Sequence, residues 1–521
     1  MLANALAALE ATAVAAAVPT AVGQLGGMAR YSWVFSAYLL TSTTSVPLYG
    51  KLADLYGRRR TFHVAVLLFL VGSALAGAAG SLDQLIVYRA LQGLGAGGVT
   101  VISITIVGDI FTLEERGRIQ GLFSGVWGAA SLLGPPLGGL LTDALSWRWI
   151  FYLNVPLGLA SALILERFLH EGGAGHPAAR ADRAVLGERG ERRLDVLGSL
   201  VLTAAITALL AGLLEGGDHG GIFGRRALAC FIAAAIGLAV FLWQESRAPD
   251  PMLPLDLFRE RLIGVSSGLN LVIGALLYSI TAFVPMFGQG VLGGSAAAAG
   301  AALTPLLIGW PIASTISGRL LLRAGYRRLA IGGGLLTVAG GLVMVHAGFA
   351  ELRLGLMAGT FVTGVGLGFL AMPSLVAVQS SVPWERRGVA TSTVQFFRTI
   401  AGTVVVAAFG ALLNSHLDHL QGIPSLPGAA APATAAGAAA GAGAPAALRH
   451  LDPNAALDPA LRARLPPAAL AALTSTLASG LQAVFIAMAA LGLAGFVLAW
   501  FFPPGLPRPT APPPAEPAIA L

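Results

Sequence analysis

Apolar runs of about 20 residues follow one another along almost the whole chain, separated by short polar stretches. A helix rising 1.5 Å per residue needs about 20 residues to cross a hydrocarbon layer about 30 Å thick. By that measure spans fall at 2–23, 31–49, 61–79, 85–107, 118–141, 149–168, 195–214, 226–244, 263–287, 298–317, 329–348, 354–377, 388–413 and 479–502, fourteen in all. The pattern predicts an all-α polytopic membrane protein. Residues 1–169 hold six spans, 170–194 form a charged linker, 195–245 hold two more spans, 246–262 a loop, and 263–502 the last six. Within the last unit, 414–470 is rich in alanine, glycine and proline, which cannot build a core. It is expected to be irregular apart from a short helix near 456–464. A proline-rich tail, 503–521, follows.

Composition removes the soluble alternative: 56% of the 521 residues are apolar and only 11% charged, and mean hydropathy is +0.77. The net charge of +7 points to topology rather than to a nucleic-acid partner. About 22 of the 32 Lys and Arg fall in loops 50–60, 109–118, 166–194, 245–262, 318–328 and 378–387 and the tail, against about 8 on the other side. The richer side is expected to face the cytoplasm of a bacterium, with both termini there. The two arginines left over, Arg89 and Arg398, lie inside spans. Cys230 has no partner for a disulfide, and the first span lacks the basic leader of a secretory signal.

The only lysine, Lys51, is followed by Leu52, so there is no phosphate-binding Gly-Lys-Ser/Thr loop and no ATP site. No H-E-x-x-H or C-x-x-C occurs, and the one G-x-S-x-G, "GVSSG" at 264–268, lies inside an apolar span and not on a strand-to-helix turn, which argues against an enzyme or a bound cofactor. An ion gradient is the natural source of power.

The charged stretch "GKLADLYGRRR" (50–60) recurs in degraded form. Gly50, Leu52, Gly57, Arg59 and Arg60 align at an offset of 268 with Gly318, Leu320, Gly325, Arg327 and Arg328; Arg116-Gly117 and Arg387-Gly388 align at 271. Two six-span repeats with two spans inserted between them account for this register. These residues resemble the fourteen-helix drug:proton antiporter branch of the major facilitator superfamily. "GKLADLYGRRR" matches its loop between helices 2 and 3, "YRALQGLGAGG" (88–98) its helix 4 motif, and "GVWGAASLLGPPLGG" (125–139) its helix 5 motif. "WRWIFYLNVPLG" (147–158) and "FFRTIAG" (396–402) are typical of the branch. In the first span Glu10 stands where that branch usually has aspartate, and Ala16 where a polar residue is common.

The resemblance implies the major facilitator fold and a monomer working in the lipid bilayer. It implies proton-coupled efflux of amphipathic or lipophilic small molecules, with protons as the second partner. A dedicated exporter of an endogenous lipid, siderophore or secondary metabolite, and a membrane sensor or scaffold, are the alternatives. Glu10, about 12 Å into its span, and Arg89 are the candidates for proton coupling, since an ionised carboxylate at such depth needs a proton or a partner. A cationic cargo competing for Glu10 would be the simplest antiport; a snorkelling Glu10 is the structural alternative. Gly125, Gly128, Gly134, Gly138 and Gly139, with Pro135 and Pro136, are expected to form a bent, close-packed seal at the interface of the halves. Gln92, Asn270, Tyr278, Gln289, Gln379, Gln395 and Arg398 are candidates to line the path of the cargo. Trp147 and Trp149 fit an aromatic belt, and His63 an interfacial packing role.

In the 50–60 loop, Gly50 is expected to end helix 2, Gly57 to turn the chain, and Arg58, Arg59 and Arg60 to anchor it. Asp54 corresponds to Leu322 in the second copy, so anchoring does not require the acid. By resemblance it is a latch between conformations, with Arg116 as a candidate contact. Asp54→Asn should insert normally but transport poorly, and an undiminished efflux rate in vesicles would refute that.

Overall fold

The computed structural model describes residues 2–110, 113–168, 196–217, 224–248, 251, 253, 255–349, 353–382, 387–421 and 453–503; at some helical positions it describes the backbone alone. The first half comprises α1 (Leu2–Leu25), α2 (Trp33–Tyr56), α3 (Arg58–Gly77), α4 (Leu82–Ile110), α5 (Leu113–Ala144) and α6 (Arg148–Phe168). The inserted pair is α7 (Val196–Gly217) and α8 (Arg225–Glu245). The second half contains α9 (Arg261–Gly290), the short α10 (Ala296–Ala301), α11 (Thr304–Phe349), α12 (Arg353–Ser381), α13 (Arg387–Gln421), the one-turn α14 (Pro459–Arg462) and α15 (Pro467–Ala499). The long α11 is two spans joined at Gly325, so fourteen transmembrane helices are present as two six-helix bundles plus the inserted pair.

The repeat in sequence is a repeat in geometry. Gly57 joins α2 to α3 at φ 89°, ψ 153°, and its counterpart Gly325 breaks α11 at φ 77°, ψ 167°. Both lie in a region that is essentially reserved for glycine. Three boundaries depart from expectation. Gly50 does not end its helix, since α2 continues to Tyr56. Helix α13 runs on to Gln421, and α15 starts at Pro467, twelve residues before the expected 479. Between them, the expected helix near 456–464 is a 3-10 turn (Pro453–Ala456) followed by the single turn α14.

Sidedness of packing is inverted relative to a soluble bundle. On α8, Leu228, Ile232, Ile236 and Val240 form an exposed stripe at i, i+4 spacing, as suits a lipid-facing helix. The inserted pair sits on the seam between the halves: Leu202, Ile206 and Leu210 of α7 and Phe241 of α8 cluster with Leu40 of α2 and Ala407 of α13.

The hydrogen bonds that join the halves gather at the end of the bundle away from Gly57 and Gly325. Thr20 of α1 donates to Gln289 Oε1 of α9 (2.7 Å), Gln289 Nε2 donates to Ala16 O (2.8 Å), and the Tyr31 hydroxyl donates to Ala282 O (2.5 Å). Segment 453–465 straps across this end. Asn454 Oδ1 accepts from Met28 N (3.0 Å) of the first half, and Arg462 donates to Gly290 O (2.8 Å) of the second. Leu457 is buried beneath it, against Gly23 and Gly290. At the rim, the Asp143 carboxylate of α5 takes the first two free amides of α10, from Ala296 N (3.0 Å) and Ala297 N (2.9 Å). A carboxylate on a helix N-terminus satisfies orphan donors and complements the dipole.

Two measurements check this account. Gly57→Ala and Gly325→Ala should each lose roughly 1–3 kcal/mol of stability through backbone strain. Gly128→Ala, whose added methyl meets nothing within 4 Å, should be neutral or stabilising in thermal melts of the purified protein. Asp143→Ala should favour opening of the strapped end by about 0.5–1 kcal/mol, a roughly two- to fivefold rise in population. A cysteine placed at buried Ala21, in a background where Cys230 is replaced, should then label faster by that factor; an unchanged rate would count against the Asp143 clasp.

Candidate functional site

Polar side chains from four helices of the first half converge on Glu10. The carboxylate is fully buried, with Oε1 in an ion pair with Arg89 Nη1 and Oε2 accepting from Asn154 Nδ2. Arg89, 2% exposed, also donates to Gln92 Oε1 (2.7 Å) and Val34 O (3.3 Å). Its guanidinium carbon lies 4.1 Å from the centre of the Tyr38 ring, a cation–π geometry. Ser73 closes the network: its hydroxyl accepts from Gln92 (3.1 Å) and Asn154 (2.9 Å) and donates to Phe151 O (2.8 Å). Asn154 Oδ1 is buried with no partner among the described residues.

The glycines of "LQGLGAGG" explain how these groups come so close. Gly93 and Gly97, one turn apart, lie against Tyr38 O and Ser42 O of α2, while Gly95 and Gly98 lie against Phe69 and Ala65 of α3. Helix α4 therefore lacks side chains on two faces and packs backbone to backbone on both neighbours, as small residues allow in membranes. That close fit sets the depth of Arg89 and Gln92.

Helix α5 divides the work of its motif. Gly134 and Gly138 receive Thr12 and Ala13 of α1 in the same half, whereas Gly139 receives Ala296 and Ala297 of α10 in the other. Gly300 of α10 in turn receives Pro135 O, and α5 continues through both Pro135 and Pro136. Close contact between the halves on this helix is made by Pro135 and Gly139 against Ala296, Ala297 and Gly300. Gly128 makes no close approach, and Gly125 lies outside the positions described beyond the backbone.

In the second half, Arg398 of α13 donates twice to Asn270 Oδ1 of α9, from Nε (3.0 Å) and Nη2 (2.7 Å). Asn270 is fully buried and its own amide donates to Ser266 O (2.8 Å). The Arg398 guanidinium carbon is 5.7 Å from the centre of the Trp310 ring. Tyr278 of α9 packs against the first-half cluster that contains Tyr38, which brings the second half up to the surroundings of Arg89.

Other expectations change in detail. Gln92 is buried within the Arg89 network and offers nothing to a cargo in this conformation, and Gln289 is committed to the seam between α1 and α9. Both oxygens of Glu10 are taken, so a cationic cargo does not reach it here. Gln379 touches Thr391 (3.5 Å), and Gln395 is exposed. Arg59 pairs with Glu166 of its own half, with His63 Nε2 3.3 Å from the same carboxylate. Arg58 starts α3. The side chains of Asp54 and Arg116 lie outside the described residues. Trp147 is not in a belt: it is fully buried and donates to Gln24 Oε1 (2.9 Å), while Trp149 is half exposed. Among the described residues no group of three His, Cys, Asp or Glu is placed to hold a metal.

Sequence reasoning missed Asn154, Ser73, Tyr38 and Asp143 as site residues. Asn154 stood in a quoted motif as a polar residue in an apolar run, which is a usable signal; the partner of Asp143 lies 153 residues away and left none.

Residues 1–406 match the family model described as Major Facilitator Superfamily. The multidrug transporter protein MdtP of Bacillus subtilis (strain 168) is 35% identical over 415 residues, covering 79% of this chain and 74% of that protein. Multidrug resistance protein 3 of the same organism is 31% identical over 486 residues, covering 92% and 89%. Among solved structures, a bacterial homologue of the human lysosomal transporter Spinster, in an inward-facing and unoccupied conformation, superposes with a TM-score of 0.60 at 16% identity, covering 96% of this chain and 95% of that one. The chain is a transporter of the Major Facilitator Superfamily.

Proposed function

We propose that this protein exports amphipathic small molecules in exchange for protons, by alternating access of its two halves, in the cytoplasmic membrane of a bacterium. The observation that carries this reading is the burial of Glu10 with one basic and one amide partner. A carboxylate without water has two states here: ionised and paired with Arg89, which leaves the cluster neutral, or protonated, which leaves the Arg89 charge to its other acceptors and the cluster with one net positive charge. Asn154 is built to serve both. Its Nδ2 donates to the ionised carboxylate, and its unpartnered Oδ1 accepts the Glu10 proton once the amide turns over. Because Glu10 is on α1, Arg89 on α4 and Asn154 on α6, a change in proton occupancy alters how three helices are tied.

The arginine bias of the loops assigns the Gly57 and Gly325 end to the cytoplasm and the strapped end to the outside. On that assignment the conformation described is sealed outward by Asp143, Gln289 and the 453–465 strap. The names of the Bacillus relatives support drugs as cargo and a part in antibiotic resistance; a narrow resistance and accumulation profile in a host stripped of its own pumps would instead favour a dedicated exporter.

In vesicles loaded with a pH-sensitive dye, wild-type protein should release protons when cargo is added, and Glu10→Gln should abolish that signal. Glu10→Gln alone strands Arg89 in the bundle, a loss of about 3–5 kcal/mol when a buried pair is broken. The double variant Glu10→Gln/Arg89→Gln removes both charges and should recover folded protein without recovering proton flux. Cargo-driven proton flux in the folded double variant would rule out Glu10 as the carrier.

A further inference from the structure

The two arginines inside spans are treated very differently by their surroundings. Arg89 is matched by a carboxylate, an amide oxygen, a backbone carbonyl and an aromatic face. Arg398, about as deep in its own helix, makes no ion pair among the described residues. Its hydrogen bonds there both end on one atom, Asn270 Oδ1. A guanidinium has five N–H donors in a planar fork, so three remain unused. Asn270 is itself locked by Ser266, which holds the fork in one orientation rather than neutralising it. The Trp310 ring and the neutral Tyr278 complete the near surroundings. Arg398 is also only partly buried, and Gln395, one turn before it on α13, is exposed. Tyr278 places this group beside the contact between the halves, where a cargo must pass.

We infer that Arg398, oriented by Asn270, is a docking site for the anionic head of an amphiphile, a carboxylate, phosphate or sulfonate group, whose apolar body lies along Trp310 and Tyr278. The inference rests on the efflux reading only for what happens next to the bound molecule. A planar fork with free parallel donors fits such two-oxygen heads, and a bound anion neutralises a charge that the protein leaves unmatched at membrane depth. A cationic head is repelled from the same place. Glu10, enclosed by Arg89 and Asn154, does not restore a preference for cations in this conformation. The selectivity of the path therefore opposes the cationic cargo that a buried carboxylate suggests from sequence.

The test uses the full chain in phosphatidylcholine nanodiscs and two fluorescent twelve-carbon probes that differ only in head group, carboxylate or trimethylammonium. Wild type should bind the carboxylate at least tenfold more tightly. Arg398→Gln should erase that ratio, Arg398→Lys should keep part of it, and Asn270→Ala, which keeps the charge but frees the fork, should weaken carboxylate binding alone. A ratio unchanged in Arg398→Gln overturns the inference. If that variant does not fold, equal weakening of both probes in Asn270→Ala overturns it. Repeating the titration with phosphatidylglycerol in the disc separates the sources of the anion: competition by that lipid assigns the dock to a lipid head group, and its absence to a free cargo. Carboxylate binding without any transport in vesicles would retain the dock and reject efflux. Cation efflux with an unchanged probe ratio in Arg398→Gln would do the reverse.

Discussion

Everything in this bundle is arranged around the difficulty of holding charge where there is no water. Thirty of the 32 basic residues fall at the ends of the expected spans or between them, and the two that remain inside spans are handled individually. The Arg89–Glu10 pair shows what a complete solution needs: opposite charge, amide and carbonyl acceptors, and an aromatic face, all brought in by helices that touch through glycine. Replacing a buried ion pair with apolar residues is often neutral or stabilising. The pair is therefore poorly explained as a device for stability.

That arrangement belongs to one half only. The repeat preserves backbone geometry, since Gly57 and Gly325 share the same left-handed break, but not chemistry. The first half encloses an acid with its base and presents a neutral cluster; the second presents a cation held by a neutral amide. Two copies of one architecture thus hold their buried polar groups in different ways, an enclosed ion pair in the first half and a cation on an amide in the second. Tyr278 of the second half packs against the first-half cluster that contains Tyr38, whose ring faces Arg89.

The spans were legible because length and hydropathy dictate them, and the repeat because glycine is required wherever the backbone takes positive φ. Glu10, Arg89 and Arg398 stood out for the same reason, as charges inside apolar runs. Their partners did not stand out in the same way. Nothing in linear sequence says that Glu10 faces Arg89, 79 positions away, or that Arg398 meets Asn270 rather than an acid. Composition also misjudged the stretch after α13, because the few residues that matter there, Asn454, Leu457 and Arg462, work by capping loops of both halves and not by forming a core of their own. Trp147 failed for a related reason: an aromatic residue at a span end suits a belt, yet its indole N–H found Gln24 inside the bundle.

The inserted helices bridge the two halves along one seam. Helix α7 lies on both α2 and α13, with Leu202, Ile206 and Leu210 filling the groove between them, while α8 turns its apolar stripe outward. Any motion that separates α2 from α13 must expose those leucines or drag the inserted pair with one half. The opposite seam is built from contacts of another kind. There Gly139, Gly300 and Pro135 bring α5 and α10 together backbone to backbone, and the Asp143 carboxylate holds the first amides of α10. Contacts of glycine on backbone bring no large apolar side chain to the seam. The two seams are thus built differently, apolar packing through an inserted helix on the α2 and α13 side and backbone contact with one carboxylate on the α5 side.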